Sequence, residues 1–228
     1  MKLSILIPVY NEEKTVEKLI KKVKKVKLPI KKEIVVVDDK STDKTLSILK
    51  KIKGIKLIEH KKNIGKGAAI KTAIKNADGE IIIIQDADLE YNPEDYNALI
   101  RPIIEKKEKV VYGSRVLKKE NRLYSSLEFY IGGNFLTLLT NILYPSAHIT
   151  DEPTCYKVFR ADVLKSIKLK CKRFEFCPEV TAKILKKGIK IKEIPISYFP
   201  RTVKEGKKIN WKDGFEAIWT LIKYRFKD

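Results

Sequence analysis

The chain has 228 residues and a formal net charge of +20, from 49 Lys and Arg against 29 Asp and Glu. Hydrophobic residues make up 43%, which excludes a disordered polybasic tail, and the length suits one large domain whose core needs no disulfide or metal staple. The basic excess points to polyanionic partners (nucleic acid, an anionic membrane surface or phosphorylated small molecules) without choosing among them.

Leu3–Val9 is an apolar run ended by Pro8 and a polar turn, and it reads as a strand. Glu13–Val26 has helical spacing, with Val16, Leu19, Ile20, Val23 and Val26 on one stripe. Glu33–Val37 is a β-branched, buried strand that ends in Asp38-Asp39. Asp43–Ile52 reads as a helix and Lys56–His60 as a strand. Asn63-Ile64-Gly65-Lys66-Gly67 is a glycine loop that opens the helix Ala68–Asn76. Glu80–Ile84 contains four consecutive isoleucines and runs into Asp86, Asp88 and Glu90. Pro93–Glu105 is helical and Val110–Tyr112 is a further strand.

Strands alternating with helices across short loops predict an α/β fold with a mostly parallel sheet. Such sheets bind ligands beyond the carboxyl ends of their strands. Three strands deliver polar residues there: Pro8 to Glu12, Asp38-Asp39 and Asp86-Ala87-Asp88. Carboxylates clustered at two of those ends suit a divalent metal or a sugar hydroxyl.

After Tyr112 the pattern is less regular. Phe129 to Thr150 holds no charged residue, a length that could span a bilayer. Its glycines, Asn134, Asn141, two threonines and Pro145 oppose insertion. Ile131, Phe135, Leu138, Leu139 and Ile142 share a helical face, which suits either a core-packing helix or one lying on a bilayer. The last 46 residues carry 13 basic and 5 acidic side chains around a second stripe: Trp211, Phe215, Ile218, Trp219, Ile222 and Phe226. Core packing and a lipid-resting amphipathic end are again both open. Lysine supplies 42 of the basic residues and Gln85 is the sole glutamine, a usage that resembles hyperthermophile chains. Cys155, Cys171 and Cys177 lack metal-ligand spacing with His60 or His148 and are expected as free thiols in a reducing cytosol. No signal peptide is expected, since the first strand begins almost at once. The basic residues lack the aromatic-rich pattern of RNA-binding modules, so no specific nucleic-acid partner is expected.

Four segments together resemble the family 2 glycosyltransferases of GT-A fold: Ile7-Pro8-Val9-Tyr10-Asn11-Glu12-Glu13, Val35 to Asp43, Asn63 to Ala69, and Gln85-Asp86-Ala87-Asp88. One departure is Lys40, where glycine is usual. Gly113-Ser114-Arg115, the run Thr150 to Arg160, Phe174 to Glu179, Ile194 to Tyr198, Arg201 and Gly206-Lys207-Lys208 are similar to the polyprenyl-phosphate sugar synthase branch, typified by dolichol-phosphate mannose synthase, in a soluble subgroup. The resemblance implies a single GT-A domain over 1–228. Residues 1–112 would bind the nucleotide sugar and 113–228 the acceptor, with membrane-interface helices near 129–144 and 211–226.

It further implies that Pro8, Tyr10, Glu12, Val37 and Asp39 hold the base and ribose of the donor. Lys66, Asp86, Ala87 and Asp88 would flank its diphosphate, with Mg²⁺ or Mn²⁺ on Asp88, Asp86 and Glu90, the last standing where the branch has Gln. Arg115 and Arg201, with Arg122 as the nearest third arginine, would take an acceptor phosphate. The expected reaction inverts the anomeric carbon, moving a hexose from GDP-mannose or UDP-hexose to a polyprenyl (dolichyl) phosphate. The enzyme would lie on the cytoplasmic face of the cell membrane. The alternative acceptor is a glycan hydroxyl. A hydroxyl needs a base, for which Asp151 is the candidate, although Asp151 also suits a turn cap.

Overall fold

A computed structural model describes residues 1–121, 127–201, 208 and 211–227. Arg122 lies outside the described residues. Seven strands form one sheet in the order β3-β2-β1-β4-β6-β5-β7. They are β1 (Lys2–Val9), β2 (Lys31–Asp38), β3 (Lys56–Glu59), β4 (Ile81–Ile84), β5 (Val110–Ser114), β6 (Lys157–Arg160) and β7 (Lys192–Pro195). β6 runs antiparallel to both β4 and β5, and every other pairing is parallel. The α/β, mostly parallel expectation holds. The division at residue 112 falls inside β5, so the two halves share one sheet.

The helices are α1 (Val16–Lys25), α2 (Thr45–Lys51), α3 (Lys66–Lys75), α4 (Tyr96–Ile104), α5 (Leu127–Leu143), α6 (Ala161–Lys165), α7 (Phe176–Lys186) and α8 (Trp211–Phe226). α1 follows its predicted stripe, with Val16, Leu19, Ile20 and Val23 buried. The four isoleucines of β4 are buried on both faces, as a central strand covered on both sides requires. Each contributes about 1.5–3 kcal/mol of burial, and the polar chain that follows is thereby held at the carboxyl edge of the sheet.

Two loops at that edge are stapled to one another. Asn11 N–H donates to Ser41 Oγ at 3.0 Å, and Thr42 N–H donates to Asn11 Oδ1 at 2.8 Å. Asp43 accepts from Glu13 N–H, and Lys44 N–H donates to Glu13 Oε2. The polar residues after β1 and β2 therefore cap each other's backbone. Lys40 adopts φ +61°, the left-handed region that favours glycine, which gives its departure from the family pattern a physical cost.

α5 and α8 are turned inside out. In α5 the polar Thr137 and Thr140 are buried, while Ile131, Phe135, Leu138 and Ile142 are 50–64% exposed. In α8 Asp213 and Thr220 are buried with Ala217, Leu221 and Tyr224, while Trp211, Phe215, Trp219 and Phe226 are 63–77% exposed. Most of the two stripes therefore faces outward, while Leu139 of the α5 stripe packs against the cluster around Tyr144, Leu221 and Tyr224. The helices join at their C-terminal halves, where Tyr144 O–H donates to the Leu221 carbonyl at 2.9 Å. Among the described residues no helix is long and apolar enough to cross a membrane.

Candidate active site

A cleft of about 1140 Å³ opens at the carboxyl edge of the sheet. Pro8, Tyr10, Glu12 and Asp39 line it from the ends of β1 and β2, and Asp86, Ala87, Asp88 and Glu90 from the end of β4. Lys66, Arg115, Arg201 and Lys208 also line it. Val37 is off the wall, fully buried within β2.

The two aspartates after β2 divide their work. Asp38 is buried and accepts from Ser41 N–H, closing the turn. Asp39 accepts from the Ile64 and Gly65 amides, the latter at 2.6 Å, and lies 2.7 Å from His60 Nδ1. His60 Nε2 lies 2.9 Å from Thr72 Oγ1 on α3. Asp39 thus anchors the glycine loop. The first turn of α3 is in turn closed by main chain, since Gly67 N–H and Ala68 N–H donate to the carbonyls of Arg173 and Lys172. A Cβ at Gly65 would stand 2.5 Å from the Lys172 carbonyl and one at Gly67 2.8 Å from that of Arg173. Those glycines admit the 171–174 segment.

Lys66, the first residue of α3, reaches Asp86 at 2.6 and 2.8 Å. Burial is the largest single influence and disfavours its ammonium, but the charge and hydrogen bond of Asp86, together with Cys155 and Cys177, hold its pKa well above the ordinary value. Gln85 braces the same strand end from below: its Oε1 accepts from Tyr96 and Tyr156, and its Nε2 donates to the Asp86 carbonyl. Asp88 is pushed up to about 7 by burial and by the charges of Asp86 and Glu90, with Arg201 opposing. Carboxylates this crowded favour a cation among them.

Arg201 supplies part of that charge. Its guanidinium lies 3.2 Å from Glu12 and 3.1 Å from Asp88. Burial opposes its charge, and Asp88 and Glu12 outweigh burial and raise its pKa. Lys208 adds an ion pair to Glu12 at 2.8 Å and donates to the Tyr10 and Asn11 carbonyls. Glu90 is committed elsewhere, with Oε2 accepting from Tyr198 O–H at 2.7 Å and Oε1 from Arg201 N–H at 2.9 Å. The same carboxylate thus holds the C-terminal segment against the end of β4.

Asp86, Asp88 and Glu90 are oxygen donors of the kind suited to Mg²⁺ or Mn²⁺. Among the described residues no three acidic, histidine or cysteine groups converge to cage a metal. One or two carboxylates completed by substrate phosphates is how Mg²⁺ is commonly held, and the residues present fit that arrangement. When bound, the ion would neutralise charge on a departing diphosphate.

Arg115 and Asp151 form a fork. Arg115 Nε and Nη2 donate to the two carboxylate oxygens at 2.7 and 2.6 Å, and the Arg115 amide adds a third bond at 2.9 Å. Asp151 is buried and does not line the cleft. Its role as a base therefore meets a physical obstacle, because both oxygens are engaged by a cation. Arg115 stacks over Tyr198 at 5.0 Å and keeps an edge on the cleft. The three cysteines are free, and burial pushes the thiols of Cys155 and Cys177 up, so they are poor nucleophiles. Sequence reasoning assigns no role to Lys208, His60 or Gln85. Gln85 and Lys208 fall inside the family-like segments without an assigned role, and His60 carries no local signal because its partners Asp39 and Thr72 lie 21 and 12 positions away.

Residues 4–168 match the family model described as glycosyl transferase family 2. The chain belongs to that family. An uncharacterized protein of Methanocaldococcus jannaschii is 33% identical over 226 residues, 96% of this chain and 90% of that one. A Methanococcus voltae protein named UDP-N-acetylglucosamine–dolichyl-phosphate N-acetylglucosaminyltransferase is 27% identical, covering 96% of this chain and 94% of the other. A Pyrococcus furiosus dolichol-phosphate mannosyltransferase is 28% identical over 98% of this chain and 64% of its own length. Among solved structures, glucosyl-3-phosphoglycerate synthase from Mycobacterium tuberculosis, in complex with Mn²⁺, UDP and glucosyl-3-phosphoglycerate, superposes with a TM-score of 0.77 at 16% identity, covering all of this chain and 81% of the other. That likeness establishes the glycosyltransferase fold. Within this family 2 enzyme, Glu12, Asp39, Lys66, Asp86, Asp88, Arg115 and Arg201 all reach one cleft, Asp151 stands behind Arg115, and Val37 supports from within the sheet.

Proposed function

We propose that this family 2 enzyme moves a hexose from a nucleotide sugar, GDP-mannose or UDP-hexose, to a polyprenyl phosphate, at the cytoplasmic surface of a membrane. The observation that carries this reading is the Arg115–Asp151 fork on a cleft that Arg201 also lines. A hydroxyl acceptor needs a positioned base, and Asp151 is bound to a guanidinium. A phosphate monoester, with a second pKa near ~6, is already anionic and needs cations to place it. Arg115 and Arg201 supply them on the cleft wall.

The phosphate oxygen would attack the anomeric carbon as the bond to the nucleoside diphosphate breaks, its electron pair leaving with the diphosphate. Asp86 and Asp88 would hold Mg²⁺ or Mn²⁺, and Tyr10, Glu12 and Asp39 would border the nucleoside. The names of the Methanococcus voltae and Pyrococcus furiosus relatives support a dolichyl-phosphate acceptor. The exposed apolar faces of α5 and α8 support a peripheral membrane position.

Incubation with labelled GDP-mannose, UDP-glucose or UDP-N-acetylglucosamine, Mn²⁺ and dolichyl phosphate should yield a chloroform-soluble labelled lipid. Label passing to a glycan hydroxyl across the donor panel, with none in the lipid, overturns the reading.

A further inference from the structure

Where β1 and β2 end, the cleft wall bears two carboxylates, Glu12 and Asp39, and the accepting capacity of each is nearly spent. A carboxylate offers roughly four lone-pair sites. On Asp39, Oδ1 faces His60 Nδ1 at 2.7 Å and Ile64 N–H at 3.0 Å. Oδ2 accepts from Gly65 N–H at 2.6 Å and takes a longer share of Ile64 N–H at 3.2 Å. Three donors thus occupy a side chain that is almost fully buried and still lines the cleft. Room is left for one more donor. Glu12 is filled differently: Lys208 at 2.8 Å, Arg201 at 3.2 Å and the Thr15 hydroxyl at 2.7 Å hold its two oxygens.

The third donor on Asp39 is the imidazole, and it is fixed from several sides. His60 Nε2 lies 2.9 Å from Thr72 Oγ1 on α3. An imidazole that donates from Nδ1 leaves Nε2 to accept the Thr72 hydroxyl, so the two bonds set ring orientation and tautomer together. The His60 backbone N–H donates to the Asp38 carbonyl at 2.9 Å. The ring does not line the cleft. Any influence of His60 on a ligand therefore passes through Asp39.

The two bases of the proposed donors place different demands on such a carboxylate. Guanine presents two adjacent donors, N1–H and N2–H, which a carboxylate pairs with both oxygens. Uracil presents one donor, N3–H, between two carbonyl oxygens. A carboxylate with one site left matches uracil and leaves one guanine N–H unpaired against a buried wall, a mismatch that such sites penalise strongly. Asn63 lines the same wall and carries a side-chain amide that can donate to a uracil carbonyl. Tyr10 adds an aromatic ring there.

Building on the proposed transfer from a nucleotide sugar, we infer that the donor base is uracil, that Asp39 accepts its N3–H, and that His60 is the positioning residue that sets this preference by occupying Asp39 Oδ1.

Calorimetric titration of the full chain with UDP, GDP and N3-methyl-UDP, each with Mn²⁺, tests the inference. The methylated nucleotide lacks the one donor that Asp39 would receive. UDP should bind about tenfold or more tighter than either of the others, the cost of one unpaired group in a buried site. His60→Leu should reduce that preference to less than about threefold, while His60→Gln, whose amide can donate to the same oxygen, should retain it. An equal loss of affinity for all three nucleotides in His60→Leu overturns the positioning role. Wild-type binding of GDP or N3-methyl-UDP as tight as that of UDP overturns the base assignment, whether or not the variants fold. UDP preference with label passing from a UDP-sugar to a glycan hydroxyl, and none to lipid, overturns the proposed acceptor and leaves the base assignment standing. Lipid product formed from GDP-mannose alone overturns the base assignment and leaves the transfer standing. Failure of all three nucleotides to bind overturns both.

Discussion

Arg201 Nη2 lies 3.1 Å from Asp88 Oδ2, so a cation from late in the chain rests on the carboxylate that β4 carries into the cleft. Asp88 nevertheless remains pushed up from 3.8 to about 7, because burial and the Asp86 and Glu90 charges outweigh Arg201. Between those values the folded protein holds a proton that the unfolded chain has released. The stability from this group is full at the acidic side and is lost as pH rises through about 7. Asp88→Asn cannot titrate. In metal-free buffer it should raise Tm above the parent at pH 8 and by less at pH 5, while abolishing turnover. Equal Tm shifts at both pH values, or retained turnover, would contradict this account.

The Arg115–Asp151 fork makes a different prediction. Asp151→Asn removes the charge that holds Arg115 in place, and breaking such a pair costs about 3 kcal/mol or more. The acceptor KM should rise at least tenfold with donor affinity unchanged. Arg115→Lys should fail to replace the parent, since an ammonium cannot make the bidentate contact. Steady-state kinetics with donor and acceptor varied separately checks both. A pure loss of kcat at constant acceptor KM in Asp151→Asn would restore the base role.

Lys40 offers a stability test away from the chemistry. Its left-handed φ costs a β-carbon-bearing residue about 1–2 kcal/mol, and glycine's greater unfolded freedom costs about 0.5–1 kcal/mol. Lys40→Gly should therefore gain several tenths of a kcal/mol, and Lys40→Val should lose more than that. Chemical denaturation of the three proteins decides it.

The outward aromatics of α8 should matter to lipid and not to folding. Trp219→Glu with Phe226→Glu removes two exposed apolar side chains that do not line the cleft, each worth about 1.5–3 kcal/mol if buried in an interface. Sedimentation with anionic vesicles should show at least a tenfold drop in bound protein, with Tm nearly unchanged. A large Tm loss would mean that these rings pack on protein.

Much of the proposed donor side was legible because buried strands and the polar residues that end them are adjacent in the chain there. β1, β2 and β4 are runs of buried aliphatic residues, and each ends at once in the residues that line the cleft. β6, α7 and β7 were not read. β6 is four residues long and opens with Lys157, which is fully buried and lies 3.7 Å over the Tyr112 ring. A lysine in that setting carries no strand signal, because only the tertiary contact accommodates it. The stripes of α5 and α8 were visible, but periodicity reports that a helix has two faces and not which one turns inward. The Arg201–Glu12 pair joins residues 189 positions apart, beyond the reach of any spacing rule, and Asp151 could be placed behind Arg115 only in three dimensions.

The match to the family ends at residue 168, whereas Arg201, Lys208 and the aromatic wall of α8 all lie beyond it. The shared stretch contributes the carboxylates, and the later stretch brings two of the cations that answer them together with Trp211, Phe215 and Ile218 on the cleft wall. The two stretches meet through side chains and through a few main-chain bonds to the glycine loop. The two stretches are therefore interlocked by charge: exchanging the final quarter for one without Arg201 and Lys208 would strand Glu12 and Asp88 in the cleft without the cations that now neutralise them.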